Sequence, residues 1–167
     1  MTEDKRVNWD TYFMGLADAA KIRANCSRRE VGSILVRGHD VVSLGYNGTP
    51  AGTLNCFEGG CERCAGDWPS GERYDLCMCV HAEINSILMA ARQGLSTRDT
   101  TMYITIAPCM SCIKEIIQAG VLKIIHGGSE VPMEITPYQV AMIYKSALTI
   151  YELIDGIPAL DLEYGKW

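Results

Sequence analysis

The segment TMYITIAPCMSCIKEIIQAGVLKII, residues 101–125, contains three consecutive elements of a layered fold. Residues 101–106 are a short run of threonine and larger apolar side chains, rich in β-branched residues, which predicts a strand. Pro108 favours the first turn of a helix, and Gly120 is typical of a helix end. Residues 121–125 form a second apolar run. A strand, a helix and another strand in this order predict a crossover connection between parallel strands.

The sequence before this segment predicts a helix followed by an antiparallel hairpin. Apolar residues at helical spacing predict a helix over 8–25, with Asn8 or Asp10 as its cap. Two short runs rich in β-branched residues, 31–36 and 41–44, flank the turn formers 38–40, which predicts two paired strands. The second half of the chain, by contrast, alternates helices with strands.

Two more helices complete the predicted order of elements. One is expected from His81 to Gly94. The other follows Pro137, with Ile150 and Tyr151 on its apolar face, and the tail after Gly156 is expected to be irregular. The sequence therefore predicts an α/β fold, a three-layer α/β/α sandwich with a mixed central sheet. A length of 167 residues fits one domain, 1–167.

Composition and charge exclude several classes of protein. Apolar residues make up 48 % of the chain, and 15 basic residues stand against 20 acidic ones, a net charge of −5. This balance argues against a nucleic-acid partner but not against a small phosphorylated ligand. No apolar stretch reaches the ~18 residues needed to cross a bilayer, and residues 1–6 lack the apolar core of a signal peptide. We therefore expect a cytoplasmic protein without a membrane partner.

The eight cysteines indicate metal binding. Reducing compartments disfavour disulfides, and three close pairs are a poor match to isolated buried thiols. The set comprises Cys26, Cys56, Cys61, Cys64, Cys77, Cys79, Cys109 and Cys112. Most of these cysteines fall in or near residues 53–79, which lack a helical or strand period, so we expect a cysteine-rich, zinc-binding insertion there.

A zinc site with catalytic character is expected at two helix starts. Cys109 and Cys112 are three residues apart, so on a helix both thiols share one face, and the positive end of the helix dipole favours thiolates. His81 supplies a third ligand, and three protein ligands leave a tetrahedral position for water. Glu83 is not needed as a ligand and is positioned to act as the general base and acid. His-x-Glu followed by Pro-Cys-x-x-Cys is the signature of zinc nucleobase deaminases.

These motifs resemble the zinc-dependent cytidine and deoxycytidylate deaminases, and among them the deoxycytidylate (dCMP) deaminases. The resemblance covers roughly residues 8–127. It is carried by Trp9-Asp10-Thr11-Tyr12-Phe13-Met14, Val31-Gly32, the turn Gly45-Tyr46-Asn47-Gly48-Thr49-Pro50-Ala51-Gly52, His81-Ala82-Glu83-Ile84-Asn85 and Pro108-Cys109-Met110-Ser111-Cys112. It implies hydrolysis of dCMP to dUMP and ammonia, which supplies dUMP for thymidylate synthesis. It also implies a homohexamer, activated by dCTP and inhibited by dTTP.

The resemblance also assigns roles to single residues. It implies that Asn47 contacts the nucleotide sugar, whereas a turn residue with positive φ is the alternative reading. It associates Gly45, Tyr46 and Gly48 with the effector site. Phosphate recognition requires donors, and Arg28 is the first candidate among Lys21, Arg23, Arg28 and Arg29 because its planar guanidinium suits phosphate.

A second, structural zinc is expected among the remaining cysteines. Cys61-x-x-Cys64 and Cys77-x-Cys79 have the spacing of zinc hooks, and Cys26 and Cys56 are further candidates. Relatives with a second zinc bind it near the positions of Cys26, Cys56 and Cys79. Six thiols exceed the four ligands of one tetrahedral ion, so the sequence leaves the ligand set open.

Other functions stay open at this point. The same catalytic centre would serve an enzyme that deaminates dCTP, a 5-substituted dCMP or a free nucleoside. A tRNA-editing or single-strand-editing enzyme would favour a basic face with more aromatic residues. A non-enzymatic, zinc-stabilised binding module is the alternative from another class, and it gives no reason for Glu83 beside an open metal site.

Overall fold

The computed structural model describes residues 5–69, 72–128, 142–143, 145–146 and 148–160. Within these ranges the chain forms four α-helices and six strands: α1 (Trp9–Lys21), β1 (Gly32–Arg37), β2 (Asp40–Tyr46), α2 (Glu62–Ala65), α3 (Ala82–Arg92), β3 (Thr101–Ile104), α4 (Met110–Gln118), β4 (Lys123–His126), β5 (Thr149–Ile154) and β6 (Ile157–Leu160). None of these helices is long and apolar enough to cross a membrane.

All six strands belong to one mixed sheet in the order β2-β1-β3-β4-β5-β6. Strands β3, β4 and β5 run parallel, while β1 pairs antiparallel with both β2 and β3, and β6 pairs antiparallel with β5. The predicted hairpin of the first half and the parallel segment of the second half are both confirmed. Pro108 and Gly120 flank α4 as expected, and Gly120 has a φ of 78°.

Two apolar clusters on opposite faces of the sheet produce the three layers. Helix α1 covers one face, where Phe13 and Ala17 pack with Ile34 and Ile125. Helices α3 and α4 cover the other face, where the largest fully buried side chains are Leu35, Met102, Ile104, Ile113, Ile116 and Ile124. Alternate residues of β1 and β3 thus enter opposite clusters, as strand geometry requires. The three-layer α/β/α sandwich is confirmed.

The hydrogen bonds at the start of α1 show whether Asn8 or Asp10 caps the helix. The Asn8 Oδ1 accepts the Thr11 backbone N–H at 2.8 Å, so Asn8 is the cap. The carboxylate of Asp10 instead accepts the Tyr103 hydroxyl at 2.6 Å, which ties α1 to β3. The helix ends at Lys21, four residues before the predicted end.

The C-terminal part of the fold differs from the prediction. The helix expected after Pro137 falls largely outside the described residues, and residues 142–143 and 145 are helical. Placing Ile150 and Tyr151 on that helix was wrong, because they lie in β5, and the tail expected to be irregular forms β6 as far as residue 160. Asp155 and Gly156 have φ of 49° and 78°, values that suit a two-residue hairpin turn. The Asp-Gly pair was the signal for this hairpin.

Gly45 allows β2 to pack closely on α3. A Cβ atom at this position would collide with the backbone of Ala82 and Ser86, and backbone atoms cannot rotate away. We expect Gly45→Ala to lower the free energy of unfolding by at least ~1–3 kcal/mol, the usual cost of overpacking a core. Urea unfolding measures this change.

Gly15 provides the matched control for that variant. It lies on the exposed side of α1, where a methyl group added at its Cα would meet no atom of the described residues within 4 Å. Gly15→Ala is expected to raise the free energy of unfolding by about 0.5–1 kcal/mol, because alanine is the better helix former. Equal effects of the two variants would contradict the role assigned to Gly45.

Candidate active site

The first residues of α3 and α4 bring three metal-binding side chains together. His81 is the cap residue of α3, Cys109 is the cap residue of α4, and Cys112 lies in the first turn of α4. The His81 Nδ1 is 3.6 Å from the Cys109 Sγ and 3.3 Å from the Cys112 Sγ. All three ligand atoms lie within 4.8 Å of one another. The structure therefore groups the three residues predicted to bind the first zinc.

Buried polar contacts hold α3 at the position that this grouping requires. The hydroxyl of Ser43 in β2 donates to the Ser86 carbonyl at 2.8 Å, and the hydroxyls of Ser33 and Ser86 lie 3.1 Å apart. The Asn85 side chain donates to the Tyr46 carbonyl at 2.7 Å. Hydrogen bonds between buried groups restrict a helix to one register, because shifting it would leave these groups unpaired.

The donor set fits zinc. One nitrogen and two sulfurs are typical zinc ligands, and ordinary zinc bond lengths place tetrahedral N and S ligands about 3.6 Å apart. The observed separations of 3.6 and 3.3 Å agree with that value. Interaction with Cys112, and then with His81, lowers the pKa of the Cys109 thiol to about 4. A thiolate is thus favoured at the start of α4, where the helix dipole also favours negative charge.

Glu83 is a buried carboxyl group beside these ligands. Its side chain is 4 % exposed, and burial raises its pKa above the ordinary value. The Cys112 thiol is one of its neighbours. A carboxyl group that is costly to ionise can hold a proton and give it away, which is what a general acid and base requires.

A cavity of about 280 Å³ opens beside this group of residues. Glu83, His81 and Cys109 form part of its wall, together with the apolar residues Val31, Ala82, Ile106 and Ala107. Arg28, Arg29, Arg63 and Asn47 also line it, and so do Cys26, Cys64, Cys77 and Cys79. The cavity thus adjoins both the predicted zinc ligands at the helix starts and the cysteine-rich segment.

Arg28 and Asn47 line the cavity as predicted, but both already bind backbone groups. The Arg28 guanidinium donates to the carbonyls of Trp68 and Gly66 at 2.7 and 2.8 Å. The Asn47 Oδ1 accepts the Val31 N–H at 2.8 Å, and its Nδ2 donates to the Arg29 carbonyl at 2.7 Å. These bonds fix the loop before β1 along the cavity wall. The alternative reading of Asn47 as a positive-φ turn residue is wrong.

Two of the residues predicted to bind a phosphate, and the three predicted to bind an effector, do not line the cavity. Lys21 forms an ion pair with Asp18 at 2.9 Å, and neither Lys21 nor Arg23 lines the cavity. In the predicted effector turn, Gly48 pairs through its backbone with Val80, with N···O distances of 3.1 and 2.8 Å. Gly45 packs on α3, as described above, and Tyr46 accepts the hydrogen bond from Asn85. The contacts of Gly45, Tyr46 and Gly48 therefore stabilise the start of α3, and none of these three residues lines the cavity.

Two cavity residues were missed at the sequence level. Arg63 is 6 % exposed, donates to the Glu72 carbonyl at 2.7 Å, and places its guanidinium 4.2 Å from the centre of the Tyr74 ring. Tyr74 also lines the cavity. The position of Arg63 inside the Cys61-x-x-Cys64 hook was the available signal, whereas Tyr74 lies in a segment without periodicity.

The other six cysteines lie close together, and four of them, Cys26, Cys64, Cys77 and Cys79, line the cavity. The sulfurs of Cys26, Cys56, Cys64 and Cys79 lie within 4.8 Å of one another, and so do those of Cys61, Cys77 and Cys79. We call these six residues the cysteine cluster. Burial raises the pKa of the Cys61 thiol, but backbone N–H groups of Met78 and Cys64 outweigh it and lower that pKa to about 6. Such N–H contacts stabilise thiolates.

Comparison with known proteins gives a consistent result. Residues 7–127 match the family model described as the cytidine and deoxycytidylate deaminase zinc-binding region. The deoxycytidylate deaminase of Schizosaccharomyces pombe is 43 % identical over 121 residues, which are 72 % of this chain and 37 % of that enzyme. The enzyme of the same name from Saccharomyces cerevisiae is 42 % identical over 126 residues, which are 74 % of this chain and 39 % of that enzyme.

The chain therefore spans less than two-fifths of the length of these two yeast relatives.

Among solved structures, a dCMP deaminase from the cyanophage S-TIM5, crystallised with dCMP and dUMP, superposes with a TM-score of 0.66 at 24 % identity. The match covers 91 % of this chain and 99 % of that one, and it supports the same fold. The family-model match over residues 7–127 agrees with the grouping of the three predicted zinc ligands. This chain therefore belongs to the cytidine and deoxycytidylate deaminase family.

Proposed function

We propose that the chain hydrolyses dCMP to dUMP and ammonia in a zinc-dependent reaction. The observation that carries the proposal is the buried Glu83 beside the His81, Cys109 and Cys112 group, at a cavity lined by three arginines. The names of the two yeast relatives and the nucleotides bound to the cyanophage enzyme support the choice of substrate. We further propose one domain over 1–167, with the zinc-binding insertion at about 53–79.

His81, Cys109 and Cys112 would hold the catalytic zinc. When bound, zinc supplies the Lewis acidity that makes water a nucleophile near neutral pH. Two thiolates offset much of the positive charge of the ion, so a protein base is needed to complete the activation of water. Glu83 is the carboxyl group that the fold places beside these ligands.

Glu83 moves the protons of the reaction. Its carboxylate takes a proton from water as the oxygen attacks C4 of the cytosine ring. The carboxylic acid then gives that proton to N3. The carboxylate next takes the remaining proton from the new C4 hydroxyl and passes it to the exocyclic nitrogen, which leaves as ammonia as the C4–N bond breaks and the C4 carbonyl of dUMP forms. Burial favours the neutral acid between these steps, and the apolar walls of the cavity keep bulk water away from it.

The arginines on the cavity wall would bind the 5′-phosphate. The guanidinium of Arg28 is anchored by two carbonyls at 2.7 and 2.8 Å, so little side-chain entropy is lost when it contacts a ligand. Arg29 and Arg63 add positive charge beside it. The second N–H of the Asn47 amide is available for the sugar.

We propose that the chain also binds at least one structural zinc, held by Cys26, Cys56, Cys64 and Cys79. The Sγ atoms of Cys26 and Cys64 are 3.9 Å apart, close to the ~3.8 Å between sulfurs on one tetrahedral zinc. The homohexamer and the response to dCTP and dTTP, which the resemblance implies, stay predictions, and so does the cytoplasmic location expected from the sequence.

Glu83→Gln tests the proton-transfer step. The amide keeps the size of the side chain but cannot accept the proton of water, so kcat for dCMP is expected to fall by at least ~10²–10⁴-fold. Ammonia release measures kcat, and zinc content is expected to stay at the wild-type value. Asp40→Asn at the exposed start of β2 is the matched control and is expected to keep wild-type activity. Substantial turnover by Glu83→Gln would contradict the proposed mechanism.

Arg28→Ala tests phosphate recognition by comparing dCMP with deoxycytidine. Loss of a charged hydrogen bond to phosphate is expected to lower kcat/KM for dCMP about 10–100-fold while deoxycytidine, which lacks the phosphate, is little affected. A purely structural role for Arg28, which also binds Gly66 and Trp68, would lower both values equally. Arg23→Ala, outside the cavity, is the control and is expected to leave both values unchanged.

A further inference from the structure

The cysteine cluster contains more sulfur than one zinc ion can bind. Cys26, Cys56, Cys64 and Cys79 form one group of four sulfurs, which completes a tetrahedron. Cys61 and Cys77 remain outside it, and both are grouped with Cys79. Cys79 is thus the one residue that belongs to both groups.

Cys61 and Cys77 are placed as ligands rather than as core residues. Cys61 is fully buried, and within the described part of the chain the apolar residues of its cluster are all cysteines, so no aliphatic core explains its position. The Met78 N–H lies 3.4 Å from the Cys61 Sγ. The thiol of Cys61 also interacts with those of Cys64 and Cys77. Backbone donors aimed at sulfur are typical of metal-bound thiolates.

Cys64 contacts sulfurs of both groups. Its sulfur lies within 4.8 Å of those of Cys26, Cys56 and Cys79, and its thiol also interacts with that of Cys61, the first cysteine of the same Cys-x-x-Cys hook. We therefore assign Cys64 as the fourth ligand beside Cys61, Cys77 and Cys79, although these four sulfurs do not all lie within 4.8 Å of one another. Two tetrahedra that share the sulfurs of Cys64 and Cys79 use all six cysteines of the cluster.

We propose that the cysteine cluster binds two zinc ions that share the Cys64 and Cys79 thiolates. One ion is held by Cys26, Cys56, Cys64 and Cys79, and the other by Cys61, Cys77, Cys64 and Cys79. Six thiols lose six protons to solvent as two Zn²⁺ ions bind, which leaves a net charge of −2. One ion with four thiolates and two neutral thiols would also carry −2, so the second ion adds metal–sulfur bonds without adding net charge to a mostly buried cluster. The inference rests on the structural zinc of the proposed function and adds a second ion to it.

The second ion would connect the cysteine-rich segment to the active site. Cys61 begins the hook that carries Arg63, and Cys77 and Cys79 lead directly to His81. Cys64, Cys77 and Cys79 also line the cavity. A cluster of two ions would therefore fix the position of Arg63 and of the chain entering α3 at the same time.

Zinc stoichiometry tests the proposal on the full chain, purified without chelators and analysed by native mass spectrometry. The wild type is expected to contain three zinc ions, one catalytic and two in the cluster. Two ions per chain would overturn the second cluster ion while leaving one structural zinc in place. One ion per chain would overturn the structural zinc of the proposed function as well.

Two double variants, each lacking two cysteines, assign the ions. Cys61→Ala with Cys77→Ala is expected to lose one ion and to keep the catalytic zinc. Cys109→Ala with Cys112→Ala is expected to lose one ion from the active site instead, and combining all four changes is expected to leave one. Unchanged zinc content in the first double variant would overturn the assignment of Cys61 and Cys77.

Cadmium replacement tests the shared thiolates without any substitution. After exchange of zinc for ¹¹³Cd, two ions joined by common sulfurs are expected to give two cadmium resonances that show scalar coupling to each other. The catalytic site is expected to give a third resonance without such coupling. Cluster resonances that show no coupling would overturn the sharing of Cys64 and Cys79.

Discussion

The meeting of two helix starts at one edge of the sheet is the constraint on which the site depends. His81 and Cys109 are the cap residues that precede α3 and α4, and neither residue alone can bind zinc firmly. Their approach requires β2 to pack against α3 without a side chain at Gly45, and buried hydroxyls of Ser33 and Ser43 to hold Ser86. The positive ends of both helix dipoles then face the thiolates. The fold thus brings together a donor set suited to a metal ion.

One cavity is lined both by Glu83 and by three arginines. Burial raises the pKa of the Glu83 carboxyl group, which suits it to exchange protons, and the arginines supply the positive charge that a phosphate would need. The hydrogen bonds of Arg28 to Gly66 and Trp68, and of Arg63 to Glu72, show that the cysteine-rich segment positions these cations. Metal in the cysteine cluster would therefore support substrate binding at a distance from the catalytic group.

Much of the fold and the catalytic group could be predicted from the sequence, because both rest on local patterns. Helical spacing identified α1, α3 and α4, and His-x-Glu with Pro-Cys-x-x-Cys identified the three residues, His81, Cys109 and Cys112, that the structure brings together at the helix starts. The C-terminal hairpin was missed because Ile150 and Tyr151 also fit a helical period, although the Asp155-Gly156 pair is a hairpin signal, and the positive φ values of both residues show the turn. Arg63 and the division of the cysteine cluster could not be predicted, because they depend on how an aperiodic segment folds over the sheet.

Anomalous X-ray diffraction from crystals of the zinc-loaded protein, recorded on both sides of the zinc absorption edge, tests the proposed catalytic metal site most directly. We expect a zinc peak bonded to the His81 Nδ1 and to the sulfurs of Cys109 and Cys112, with the Glu83 carboxyl group beside it but not bonded to it. Zinc found only at the cysteine cluster, or a metal at the helix starts that is bonded to Glu83 in place of one of these ligands, would contradict the proposed site.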